Sequence, residues 1–243
     1  EYYKEEEENK NSEKFNDNSN LIDQFQRLIL NADPYFLNDF EEKRLLGENC
    51  SYIAYLIRND LIDDFIVYVN KHCVNLSKDQ IRESFFETNS YLILKETNLI
   101  EYASFFGSIQ IFNYLRTNGV LLNGKRIRNF AIHGNNAEII QIVEDECFPN
   151  KESEKNDTII EAFNFSVKCF NNDIAEYYKN YVKLNPTDSA IENINYNFFT
   201  SNLLCLNTLH LLCQYDYVAL FKILLKDKKF LNIIGIEIFE TLF

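Results

Sequence analysis

Few residues in this chain are suited to chemistry. There are three histidines, His72, His133 and His210, and six cysteines, Cys50, Cys73, Cys147, Cys169, Cys205 and Cys213. Cys213 follows His210 by three residues, so on a helix the thiol and the imidazole share a face. That is the start of a nucleophile–base pair. The rest of such a site is missing from the sequence around it: there is no G-x-S-x-G turn, no glycine-rich oxyanion loop and no third orienting group. No two cysteines form a C-x-x-C pair, and no four ligands fall at the intervals of a zinc site. Most of the cysteines lie in apolar stretches such as "SVKCF" and "HLLCQY", which predicts buried, reduced thiols in a cytoplasmic protein. Gly124-Lys125-Arg126 lacks the glycine-rich turn that would make it a phosphate loop. The run Glu5 to Glu8 reads as a solvated tail. The sequence therefore predicts no catalytic residue, no metal and no cofactor.

Composition limits what else the chain can be. It has 243 residues with only 6 glycines and 3 prolines, and that scarcity of turn residues favours helices over sandwiches or barrels. The formal charge of −13 repels phosphate backbones, so no nucleic-acid partner is expected. No apolar run approaches the ~20 residues of a membrane span, so no membrane partner is expected either. The acidic start is not expected to be a signal peptide. With Glu at position 1 and no methionine, the chain is expected to be a fragment. The 21 Phe and 15 Tyr tempt a base-stacking role, but most sit at helical spacing beside aliphatics and read as core.

The elements that would position these residues are helices throughout. Residues 1–20 read as a disordered acidic tail. From there to residue 94 the chain reads as an N-terminal helical region. Leu21, Phe25, Leu28 and Ile29 form one apolar face behind an N-cap at Asn20, and Pro34 punctuates. "PYFLNDFEEKRLLGEN" is a short helix closed by Gly47, and "SYIAYLIRND" and "LIDDFIVYVNKH" are two more. Residues 98–106 and 108–117 then form two antiparallel helices. Gly107 stands at the joint, where glycine takes the left-handed conformation cheaply, and Asn118-Gly119 ends the second helix by the same device. The pattern returns in "NFAIHGNNAEIIQIVEDE" with Asn135 at the joint, in "FSVKCFNNDIAEYYKNYV", and in "LHLLCQYDYVALFKILL" with Asp216 at the joint. Asn and Asp tolerate the left-handed region better than other non-glycine residues. "IAYLIRNDLIDDFIVYV" fits with a one-residue shift, and Asn207-Thr208-Leu209-His210 is echoed by "ETLF" at the chain's end.

A helix pair recurring at about 33 residues suggests ankyrin-type repeats. The residues Asn207-Thr208-Leu209-His210, with Ala103, Gly107, Ile111, Phe112, Leu115 and Gly119, resemble the ankyrin pattern. The chain looks especially like divergent ankyrin proteins, expanded in some protists, that carry an uncharacterised N-terminal helical region. The resemblance covers about residues 49–243. It departs from the family in its spacing, 28, 35 and 46, and in lacking the T-P dipeptide. The extra residues fall at "FPNKESEKND" (148–157) and "KLNPTDSAIENINYN" (183–197), read as loops or extended fingers, while "TNGVLLNGKR" suits an ankyrin finger.

The resemblance implies an all-α, ankyrin-type helix-pair solenoid with short finger turns and little or no strand. Residues 21–94 would hold the N-terminal region and a capping or degenerate repeat. Residues 95–243 would hold the repeats, the last one truncated. His210 would sit where the family uses a histidine to hydrogen-bond between fingers. The implied function is a non-catalytic, monomeric scaffold that binds another protein through its finger tips and the exposed concave side of its first helices. Carried over by position, the contacts would be Glu96, Thr97, Leu99 and Ser108, then Lys125, Asn135 and Asn136, and last Tyr217. Two alternatives stand beside it: an effector whose repeats target a separate activity, and a self-associating array driven by the apolar end at Phe243.

Overall fold

A computed structural model describes residues 39–93, 95–122, 124–149, 156–181, 187–198, 206–224 and 226. The tail at 1–20, the helix expected after Asn20, Cys205 and the closing "ETLF" lie outside the described residues.

The described chain is mostly helical. Helices α1 (Phe40–Leu46), α2 (Tyr52–Arg58) and α3 (Ile62–Lys71) precede two short strands, β1 (Gln80–Ile81) and β2 (Thr97–Asn98). The strands pair antiparallel, Gln80 opposite Asn98 and Ile81 opposite Thr97. Helices α4 (Leu99–Phe106), α5 (Ile109–Thr117), α6 (Gly124–Gly134), α7 (Ala137–Cys147), α8 (Asn156–Lys168) and α9 (Asn172–Lys179) follow. Then come α10 (Thr187–Glu192), a 3-10 turn (Tyr196–Phe198), α11 (Leu206–Gln214) and α12 (Val218–Leu224). Two compact units result: Glu1–Ala103 with Gln110–Leu121, and Ser104–Ile109 with Leu122–Phe243.

The helices end by one recurring device. Backbone φ is positive at Asp60, Gly107, Gly119, Asn135, Phe170, Ile194 and Asp216. Behind several of these residues the next N–H returns to a carbonyl five positions back: Leu61 to Leu56 at 3.0 Å, Asn171 to Ser166 at 2.9 Å, Asn195 to Ala190 at 2.9 Å and Tyr217 to Leu212 at 2.8 Å. This is the Schellman closure, which satisfies a carbonyl that the helix end would leave bare. The joints expected at Gly107, Asn135 and Asp216 all take the left-handed conformation.

One segment departs from its expected form. The described part of 183–197 is not a loop: it carries α10 and the 3-10 turn on either side of Ile194. Ala190, Ile191 and Phe198 are buried there, and that burial holds an asparagine-rich stretch in helical form. The cysteines also depart from expectation. Cys50, Cys73 and Cys213 are exposed, Cys147 and Cys169 are half-buried, and all five are free thiols. All five stand within two residues of a helix end. Burial still pushes the Cys169 thiol up to about 11.

In the first unit the core gathers Leu56, Ile57, Phe65, Ile111, Phe112 and Leu115. Each such side chain contributes about 1.5–3 kcal/mol by transfer. The Asp60 carboxylate accepts from the N–H groups of Gln110 and Ile111, both at 3.0 Å, and so caps the start of α5 from the α2–α3 turn. In the second unit Ile132, Ile159, Phe163, Val167, Ala175, Tyr178 and Phe198 form one apolar cluster. There α6 packs on α7, α8 on α9 and α11 on α12, while α6, α8, α10 and α11 touch in succession.

Three asparagines tie the turns of the second unit together. Each one directly follows a left-handed joint. Asn136 donates through Nδ2 to the Gly107 carbonyl at 3.2 Å, Asn171 to the Ile132 carbonyl at 3.3 Å, and Asn195 to the Val167 carbonyl at 2.9 Å. Each bond reaches back to the turn or helix end of the preceding pair. Nothing in the sequence reading singled out this relation.

Candidate protein-interaction surface

The succession α6, α8, α10 presents an open cleft of about 410 Å³ in the second unit. Asn129 lines it from α6, Glu161, Asn164 and Lys168 from α8, and Glu192 and Asn193 from the end of α10. Helical spacing explains the arrangement. Glu161, Asn164 and Lys168 recur at three and four residues, on the face of α8 away from Phe163 and Val167. Glu161 accepts from Lys125 Nζ at 3.3 Å and from Asn129 Nδ2 at 3.4 Å. Both members of the Lys125–Glu161 pair are exposed, so the pair contributes at most about 1 kcal/mol and stays open to exchange with a ligand.

The first unit has its own cleft of about 450 Å³ beside the two strands, lined by Ser51, Tyr68, Lys78, Asp79, Arg82 and Glu96 among others.

The residues expected to make contacts divide sharply on this structure. Glu96 is exposed and lines the first unit's cleft. Thr97, Leu99 and Ser108 are only 1%, 1% and 2% exposed, which corrects their assignment to an accessible surface. Thr97 sits in the strand pair opposite Ile81, Leu99 opens α4 inside the core, and Ser108 lies in the tight α4–α5 turn. In the second unit Lys125 reaches the cleft through Glu161, and Asn135 is exposed at its left-handed turn. Asn136 is occupied structurally: its Oδ1 caps α7 by accepting from the Glu138 and Ile139 N–H groups while Nδ2 makes the rung to Gly107. Tyr217 is half-buried with its ring 6.4 Å from that of Tyr215.

Among the described residues, His133 and Arg58 are engaged in structural contacts. His133 stacks on Phe105, with centroids 3.8 Å apart and 13° between planes. Its Nδ1 lies 3.2 Å from the Phe105 carbonyl, and burial lowers its pKa despite that bond. His210 and Cys213 are both exposed on α11. Arg58 donates through Nη1 to the Asn49 carbonyl and to Tyr102 Oη, and its Nε pairs with Glu48. Burial pushes the Tyr102 phenol up to about 12 against the lowering effect of Arg58. Among the described residues no group of three or more His, Cys, Asp or Glu could hold a metal ion, and no helix is long and apolar enough to cross a membrane.

One buried assembly escaped the sequence reading. Arg128 donates from Nε to Glu144 Oε1 at 2.7 Å and from Nη2 to Oε2 at 3.2 Å, and Tyr178 donates to the same Oε1 at 2.7 Å. The guanidinium also lies 3.3 Å from the centroid of the Phe148 ring. A signal for it exists in the sequence. Arg128 stands four residues before Ile132 and Glu144 four after Ile140, each in line with the apolar stripe of its helix.

No protein-family model, curated protein or solved structure matches the chain.

Proposed function

We propose that this chain is an ankyrin-like helix-pair scaffold with no catalytic step of its own. It holds another protein on its finger tips and the exposed concave side of its first helices. It works as a monomer in the cytoplasm and needs no cofactor. The observation that supports this most is the repeated unit of the second half: a left-handed joint, then an asparagine whose amide reaches back to the preceding pair. Units tied in series create an extended surface from successive first helices, and such surfaces serve to bind. The cleft on α6, α8 and α10 offers amides, carboxylates and an exchangeable ion pair, which can satisfy a partner's polar groups.

The test is affinity capture from the source cell with cross-linking mass spectrometry. Wild type is compared with a variant carrying Asp157→Lys and Glu192→Lys, both of which line this cleft. A partner cross-linked to Lys125 or Lys168 in wild type and lost in the variant is the expected result. A partner kept by the variant would overturn this surface. Failure to capture any protein that binds again when purified would overturn the scaffold function.

A further inference from the structure

The first unit carries a second surface, one that does not depend on the scaffold proposal. Four aromatic side chains form a row across α2 and α3. Tyr55 stacks with Tyr52, centroids 6.2 Å apart and planes 18° apart. Tyr52 meets Tyr68 edge-on at 5.6 Å, and Tyr68 lies 4.3 Å from the His72 ring. The spacing dictates the row: Tyr52 and Tyr55 are three apart on α2, and Tyr68 and His72 are four apart along α3. These rings are not core. Tyr52 is 54% and Tyr55 47% exposed, and neighbouring Val67 is 65% exposed. Tyr68 is half-buried, and Phe65, one turn before it on α3, is fully buried and serves the core. An exposed apolar and aromatic patch of this kind marks an interaction site, because tyrosine brings large contact area at low entropic cost.

The row leads into the cleft, where Tyr68 stands among Asp79, Glu96, Lys78 and Arg82. The two cations there are matched by the two carboxylates. Ser51 Oγ, on the same wall, is buried with no hydrogen-bond partner among the described residues. Beyond the cleft the balance is acidic. Asp63 and Asp64 are exposed on α3 against Lys71, and outside the cleft residues 48–99 carry six carboxylates against three lysines and arginines. Tyrosine faces are electron-rich, and the whole chain bears −13. Both attract a cation. Phosphate is repelled by the same field, which disfavours nucleobases as the stacking ligand. Between the two biological cations, guanidinium is planar and weakly hydrated and stacks on rings, whereas ammonium is a hydrated point charge.

We propose that the Tyr52–Tyr55–Tyr68 row and the adjoining cleft form a docking surface for an extended, arginine-bearing segment of a partner protein. The guanidinium groups lie on the tyrosine faces, and the segment's backbone runs toward Ser51, Asp79 and Glu96.

The experiment titrates the full chain with three fluorescent probes: a glycine–arginine repeat peptide, a glycine–lysine peptide of the same length and charge, and an oligothymidylate. Each is measured at low and high salt. The arginine peptide is expected to bind more tightly than the lysine peptide, with the difference surviving high salt. Tyr52→Leu and Tyr55→Leu should each weaken the arginine peptide by about two- to fivefold and leave the lysine peptide unchanged. Tyr52→Phe and Tyr55→Phe keep the π face and should retain the affinity, which separates stacking from any loss of fold. Equal binding of both peptides, insensitive to the tyrosines, would reduce the surface to its net charge and overturn the proposal. Preferential binding of the oligonucleotide, or no binding by any probe, would overturn it as well.

Discussion

Asn195 donates through Nδ2 to the Val167 carbonyl at 2.9 Å and to Asn172 Oδ1 at 2.8 Å, so one buried amide links the α10 turn to the α8–α9 turn. Removing it leaves the Val167 carbonyl with the Phe170 N–H at 3.2 Å and ends the bond to Asn172. Each lost bond costs about 0.5–1.5 kcal/mol. Asn195→Ala should therefore lower the urea midpoint by a corresponding amount. Asn195→Asp should be no better, because a carboxylate cannot donate to a carbonyl. Asn164→Ala is the control. Asn164 is exposed in the middle of α8, where alanine is the better helix former, so its midpoint should hold or rise. An Asn195→Ala midpoint equal to that of Asn164→Ala would show that the rung does not hold the turns.

The Arg128–Glu144 pair is almost fully buried, and its bidentate geometry is supplemented by the Tyr178 hydroxyl. A pair of this kind adds little net stability against an apolar replacement, yet breaking one side strands a charge. Glu144→Leu alone should cost about 3–5 kcal/mol. Arg128→Met together with Glu144→Leu should recover most of that loss. The measurement is a double-mutant cycle in denaturant, with Tyr178→Phe alongside to isolate the hydroxyl. Strict additivity of the two single losses would contradict a coupled pair.

The residues behind these bonds differ in how legible they were. Gly107, Gly119, Asn135 and Asp216 could be read as joints because each is a residue type for which the left-handed conformation is cheap. Phe170 and Ile194 occupy the same kind of joint against their own preference, since a bulky or β-branched side chain disfavours it. The Schellman bonds from Asn171 and Asn195, and the buried residues on either side, hold them there, and no local pattern announces such contacts. Gly134 is a similar case. A Cβ at that position would overlap the Ser104 carbonyl oxygen and approach the Gly107 nitrogen to 2.8 Å. The glycine permits close approach of α6 to the α4–α5 turn, a demand made by a distant segment. The candidate surface was read only by position within the recurring helix–joint–helix pattern. Glu96 and Lys125 are exposed, but tertiary packing put Thr97, Leu99 and Ser108 inside.

His133 gives the fold a pH dependence whose sign is fixed by its surroundings. In the unfolded chain its imidazole titrates near 6.5; in the folded chain burial against Phe105 lowers that value, and the bond to the Phe105 carbonyl offsets the shift only in part. Above about pH 7 both states hold the ring neutral, and His133 contributes no slope. As the pH falls through 6.5, the unfolded chain takes up the proton first. Stability is then lost progressively until the pH passes below the lowered folded value, where both states are protonated and the loss is complete. His133→Gln removes the titration and keeps a donor for the Phe105 carbonyl, while His72 and His210 are unchanged. Denaturation midpoints across this range should fall more steeply for wild type than for His133→Gln, and the two curves should run parallel above about pH 7. Parallel curves at every pH would mean that the stacked, half-buried ring accepts its proton as readily in the folded chain as in water, which its contact with Phe105 argues against.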